Sequence, residues 1–105
     1  MDSEALAETR GMSGVHFLDA LDAAWPKKTK RPVRVASTHD CPLAQLYGRY
    51  RAGCEKLGLT NEQALEFGFR ADAKELGNDV RAIGHYYAQL DAIFNREIER
   101  RLELA

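Results

Sequence analysis

Val80-Arg81-Ala82-Ile83-Gly84-His85-Tyr86-Tyr87-Ala88-Gln89-Leu90-Asp91-Ala92-Ile93-Phe94 carries the pattern that decides the fold class. Val80, Ile83, Tyr87, Leu90 and Phe94 recur at intervals of three, four, three and four, and Tyr86 and Ile93 widen the same side. That period belongs to an amphipathic helix with one face in a core. With Asn78 or Asp79 as cap, a long helix is expected over 79–103. Past Phe94 the charges of Glu97 and Arg101 interrupt the apolar side, and only Ile98 and Leu102 continue it. The last two turns are therefore expected to run beyond the core or to meet another chain, with Ile98 and Leu102 as interface residues.

Working towards the N-terminus, Thr60 to Gln63 has the form of a capping box, which places a short helix at 61–67. Asp40-Cys41-Pro42 marks a helix start, since proline in the first turn loses no hydrogen bond. The stripe behind it, Leu43, Leu46, Tyr47, Tyr50, Cys54 and Leu57, spans about 100° of arc, so one helix is expected over 41–57, closed by Gly58. That helix carries two interior glycines, Gly48 and Gly53, and interior glycines call for close packing nearby. A further helix over 13–25 follows from Val15, Leu18, Leu21 and Trp25, with Pro26 ending it. Residues 1–12 lack a sustained stripe and are expected to be a flexible N-terminus.

Composition fits a single folded domain over 13–105. Of 105 residues, 45% are hydrophobic and 30% charged, with 3 Pro and 8 Gly, which excludes low-complexity disorder and repeat fibres. No run approaches the roughly 18 apolar residues of a membrane span, and Met1-Asp2-Ser3-Glu4 is acidic where a secretory signal is basic. The expected setting is therefore the cytoplasm, without a membrane partner. Two cysteines are too few for a disulfide scaffold.

Charge is balanced overall, 15 Lys and Arg against 16 Asp and Glu, which argues against a dedicated nucleic-acid binder. Locally it is not. The connector 26–40 has no acidic residue between Asp22 and Asp40 yet holds Lys27, Lys28, Lys30, Arg31 and Arg34. Its plain reading is a solvated loop. Its functional reading is contact with phosphate or nucleic acid, helped by Arg49 and Arg51.

Catalytic signatures are missing. There is no GxGxxG, Walker, GxSxG or HExxH run, and His16, His39, His85, Cys41 and Cys54 lack zinc-ligand spacing, so neither a cofactor nor a metal is expected. His39-Asp40-Cys41 is the one place that gathers base, carboxylate and nucleophile types, and a thiol at a helix start has its thiolate favoured by the helix dipole. Residues adjacent in sequence seldom converge as a triad, so a thiol enzyme using Cys41 ranks third. Cys41 and Cys54, thirteen residues apart on the one expected helix, sit too far apart for a disulfide. Residues 57–69 invite a helix-turn-helix reading, which Lys74, Asp72 and Glu75 in the following segment oppose.

Cys41-Pro42-Leu43-Ala44-Gln45-Leu46-Tyr47-Gly48, with Tyr50, Gly53, Leu57-Gly58-Leu59-Thr60, Ala64 and Gly68-Phe69, resembles a pattern in small uncharacterised proteins of actinobacteria and their phages. Ala44 departs from it, since a glycine often stands there, and the long C-terminal helix lies outside it. The resemblance implies a phage or prophage accessory protein in a bacterial cytoplasm and brings no activity with it.

The sequence thus points to an all-α, single-domain bundle of about four helices. Its expected core is Leu18, Leu21, Leu43, Leu46, Tyr50, Cys54, Leu57, Phe67, Val80, Ile83, Tyr87, Leu90 and Phe94. The leading expectation for function is a non-enzymatic module that binds a host protein or a second copy of itself. Nucleic-acid or phosphate binding through the connector is the alternative.

Overall fold

A computed structural model describes residues 2–104. Among them lie six helices and no strand: α1 (Ser3–Leu21), α2 (Trp25–Lys28), α3 (Pro42–Tyr47), α4 (Tyr50–Leu57), α5 (Asn61–Glu66) and α6 (Val80–Leu104). The all-α class and the long C-terminal helix are as the periodicity indicates. No helix among the described residues is long and apolar enough to cross a membrane.

The N-terminal stretch departs from expectation. Residues 3–12, read as flexible, are the first half of α1, capped by Asp2, whose carboxylate accepts a bond from Glu4 N–H at 2.9 Å. The stripe is there, but built of small residues: Ala7, Gly11, Gly14, Val15 and Leu18 are the buried face. A Cβ on Gly11 would stand 2.9 Å from Ile93 Cγ2, and one on Gly14 would stand 2.0 Å from the Phe67 carbonyl oxygen. At these glycines the backbone of α1 admits Ile93 and Phe94 of α6 and the end of α5. Arg10 adds a paired bond to Glu75 at 2.6 and 2.9 Å and reaches the Tyr86 hydroxyl at 3.2 Å, tying the turn before α6 to α1.

Two boundaries also differ. Helix α1 ends at Leu21, and Trp25, expected as its last residue, opens α2 with Pro26 behind it. Proline suits a first turn as well as it terminates a helix, and here it starts one. The expected helix 41–57 is broken at Gly48, whose φ of 95° ends α3 before α4 restarts at Tyr50. The break lets α4 fold back on α3, and the buried Gly53 is the contact point, because a Cβ there would lie 2.8 Å from Leu43 Cβ. The capping box at Thr60 and Gln63 forms as the sequence indicates, with bonds of 2.9 and 3.1 Å.

The core stripe of α6 is rotated from the expected one. Its buried residues are Tyr86, Leu90, Ile93, Phe94, Glu97 and Ile98, while Val80 is 83% exposed and Ile83 and Tyr87 are half-buried. Leu21 is exposed too, and Leu46, Tyr50, Cys54, Leu57 and Phe67 sit at the margin of the core. Phe69 takes the central place instead, with its ring centroid 5.9 Å from that of Phe94.

Candidate functional site

Glu97 and Arg101, which look like interruptions of the stripe, fasten the end of α6. Glu97 is 3% exposed. Burial works against its charge, but bonds from Arg101 (2.7 Å) and Arg96 (2.9 Å) outweigh it and hold the carboxyl below its usual range. Arg101 also grips Asp19 through two bonds, 2.9 and 2.7 Å, and Asp19 accepts a third from the Trp25 indole at 2.8 Å. The Arg101 bonds, with help from the indole, lower the Asp19 pKa against the effect of burial. The last turns of α6 therefore lie against α1 rather than projecting free, and Ile98, expected at an interface, is buried in the core.

Beyond that fastening the surface turns apolar. Leu102 is 45% and Leu104 78% exposed. With Ala23, Ala24 and Pro26 they wall a groove of about 390 Å³ whose polar edge is Lys27 and the Asp19–Arg101 pair.

The basic connector is less charged in effect than in composition. Lys28 is bonded to Asp22, and Arg31 Nε donates to Asp40 at 2.6 Å. Gln45 holds the segment still: its side-chain oxygen accepts from Lys30 N–H and Arg31 N–H, and its amide donates to the carbonyls of Arg31 and Asp40. Lys27, Lys30, Arg34, Arg49 and Arg51 have no ion pair among the described residues. They are not gathered in one place, since Lys27 edges the C-terminal groove and Arg34 lines a cleft on α6.

Cys41 caps α3 as expected of a helix start, and its Sγ accepts from Ala44 N–H at 3.3 Å. The thiol is nevertheless 1% exposed, and burial raises its pKa more than the backbone N–H groups lower it. The thiolate is disfavoured, opposite to the expectation from the dipole alone. Asp40 is committed to Arg31, and no hydrogen bond joins the side chains of His39, Asp40 and Cys41 among the described residues. Both thiols, Cys41 and Cys54, are free. No group of three His, Cys, Asp or Glu side chains is placed to hold a metal among the described residues. After α5, a helix of six residues, the chain runs into turns, so the recognition helix of a helix-turn-helix is not formed.

A second surface went unseen in the sequence. The extended run Val33–Val35 lies on α6, where Asn95 bonds both the N–H and the carbonyl of Val33 (2.7 and 3.0 Å) and Asp91 accepts from Val35 N–H at 2.6 Å. Pro32-Val33-Arg34-Val35 alternates apolar and polar residues, and in the fold both valines are buried and Arg34 faces out. Between this segment and α6 opens a cleft of about 440 Å³, lined by Arg34, Ser37, Gly84, Tyr87 and Asp91. It adjoins a smaller recess of about 160 Å³ that shares Ser37 and Tyr87 and adds Thr38, Tyr50 and Arg70. No family model, curated protein or solved structure matches this chain.

Proposed function

We propose that the protein is a non-enzymatic binding module whose partner is another protein, held in the groove at the end of α6. The observation that carries this reading is the pair Leu102 and Leu104, large apolar side chains left in water beside Ala23, Ala24 and Pro26. Contiguous exposed apolar surface with a polar edge is the usual form of a docking site. The groove is preformed, because Arg101 is already fixed to Asp19 and Glu97, and a rigid groove lowers the ordering cost of association. The chemistry it fits is a short apolar segment carrying a carboxylate for Lys27, which has no ion pair among the described residues. The resemblance over residues 41–69 adds a setting, a phage or prophage accessory protein acting on a host protein. Contact with nucleic acid through the connector has less support, since Lys28 and Arg31 are already neutralised.

The experiment is capture of partners on tagged protein from an actinobacterial lysate treated with nuclease, run beside Leu102→Glu and Leu104→Glu. Sedimentation of the purified protein accompanies it. A monomer that captures one dominant protein, lost in both variants, is the expected result. Equal capture by wild type and variants, or capture abolished by nuclease, overturns the reading, and a dimer dissociated by the variants replaces the foreign partner with a second copy.

A further inference from the structure

Gly84 stands in the second turn of α6, exposed, with nothing within 4 Å of where a Cβ would be. An interior helical glycine costs about 0.5–1 kcal/mol relative to alanine. For Gly11, Gly14 and Gly53 that cost is offset by contacts a side chain would block. For Gly84 the chain offers no such contact. What it does offer is position, since Gly84 lies in the wall of the 440 Å³ cleft, where a missing side chain leaves room for something to approach the helix backbone.

The rest of the lining says what that something is. Arg34 edges the larger part and Arg70 the smaller recess, and neither has a carboxylate within ion-pair distance among the described residues. Tyr50 walls the recess, but its hydroxyl is shut away from solvent beside Cys54 and offers the recess no donor. The Tyr87 hydroxyl accepts from Ala71 N–H at 3.1 Å, which fixes the ring between the two parts and leaves its own proton to donate. The one carboxylate present, Asp91, has Oδ1 committed to Val35 N–H. The cleft is thus rich in donors and cations around an aromatic divider.

We propose that this cleft binds a small organic oxyanion, its charged head in the recess against Arg70, its body across Tyr87 over Gly84. Phosphate monoesters and carboxylates share the chemistry required, a planar or tetrahedral oxyanion that guanidinium groups meet with paired N–H donors. The site is separate from the groove at the end of α6 and stands without it.

The test is titration of the protein with phenyl phosphate, benzoate and inorganic phosphate, followed by amide chemical shifts and calorimetry. Saturable binding of phenyl phosphate or benzoate, with shifts centred on residues 34–38, 70 and 84–91, is expected, and comparing the two tells phosphate from carboxylate. Arg70→Ala should weaken it roughly ten- to a hundredfold, the loss of one charged hydrogen-bonding group. Gly84→Leu fills the larger part, should weaken the aromatic ligands similarly, and leaves inorganic phosphate unchanged. Because the Cβ of the added side chain meets no atom within 4 Å and a helix glycine is removed, that variant should melt no lower than wild type, which separates blocked binding from lost folding. No saturable shift with any of the three ligands at millimolar concentration, or binding indifferent to both substitutions, overturns the proposal.

Discussion

Asn95 on α6 bonds both backbone polar groups of Val33, accepting from its N–H at 2.7 Å and donating to its carbonyl at 3.0 Å. A side-chain amide thus acts as the neighbouring strand that the extended run lacks, and Asp91 one turn earlier accepts from Val35 N–H. Backbone groups that would otherwise be buried without partners are satisfied, and the connector becomes a fixed wall of the cleft.

Asn95→Ala leaves two backbone groups of a buried residue unpaired and should destabilise the protein by about 1–3 kcal/mol in urea unfolding. Amide exchange at Val33 should rise with it. A variant as stable as wild type would show that the connector is held by the burial of Val33 and Val35 alone.

Much of the fold is legible in the sequence wherever the determining residues are close together or repeat over many turns. Helix α6 is long enough for its period to show, and Thr60-Asn61-Glu62-Gln63 forms the cap of α5 within four residues. The first half of α1 is hidden because its contact face is Ala7, Gly11 and Gly14, and a search for large apolar residues sees nothing there. Gly48 reads as an interior glycine in sequence, and its role as a stop depends on α4 packing onto Leu43 through Gly53. Glu97 and Arg101 read as interruptions of the stripe because Asp19, which Arg101 grips, lies some eighty positions away. The cleft depends on pairs such as Asp91 with Val35 and Tyr87 with Ala71, which no local pattern encodes.

The glycines give a paired prediction. Gly14→Ala places a methyl 2.0 Å from the Phe67 carbonyl oxygen, a backbone atom that cannot swing away, and should cost about 3 kcal/mol. Gly84→Ala meets nothing and should stabilise by about 0.5–1 kcal/mol through helix propensity. Thermal unfolding of the two variants reads both signs, and a destabilised Gly84→Ala would refute the open wall that the cleft requires.

Acid should loosen the end of α6 first. Asp19 and Glu97 have lowered pKa values in the folded protein, so their stabilisation is complete above the unfolded carboxyl range, about pH 4–4.5, and is lost as pH falls through the lower folded values. Asp91 has the opposite sign, because burial raises its pKa against the Val35 bond and Arg34, and its penalty is relieved on protonation. Stability from pH 6 to pH 3 should therefore fall less steeply in Glu97→Gln than in wild type, and more steeply in Asp91→Asn. At neutral pH, Glu97→Ala should cost about 2 kcal/mol, below the figure for a fully buried pair because Arg96 is half exposed. Parallel pH profiles for wild type and Glu97→Gln would remove this carboxylate from the acid response.

The two thiols should differ in reactivity, in the order burial dictates. Cys41 is enclosed, its Sγ already accepts a backbone bond, and burial raises its pKa, so at neutral pH it is held as a slow thiol. Cys54 sits at the edge of the core with partial access to solvent. Alkylation with iodoacetamide followed by peptide mass mapping should label Cys54 first and Cys41 at the rate of unfolding, and Cys41→Ala should lose a cap and a packed side chain together, about 1–2 kcal/mol. Fast labelling of Cys41 in the folded protein would reverse this order and return the thiol to the list of reactive groups, because it would mean that the start of α3 opens far more readily than its packing implies.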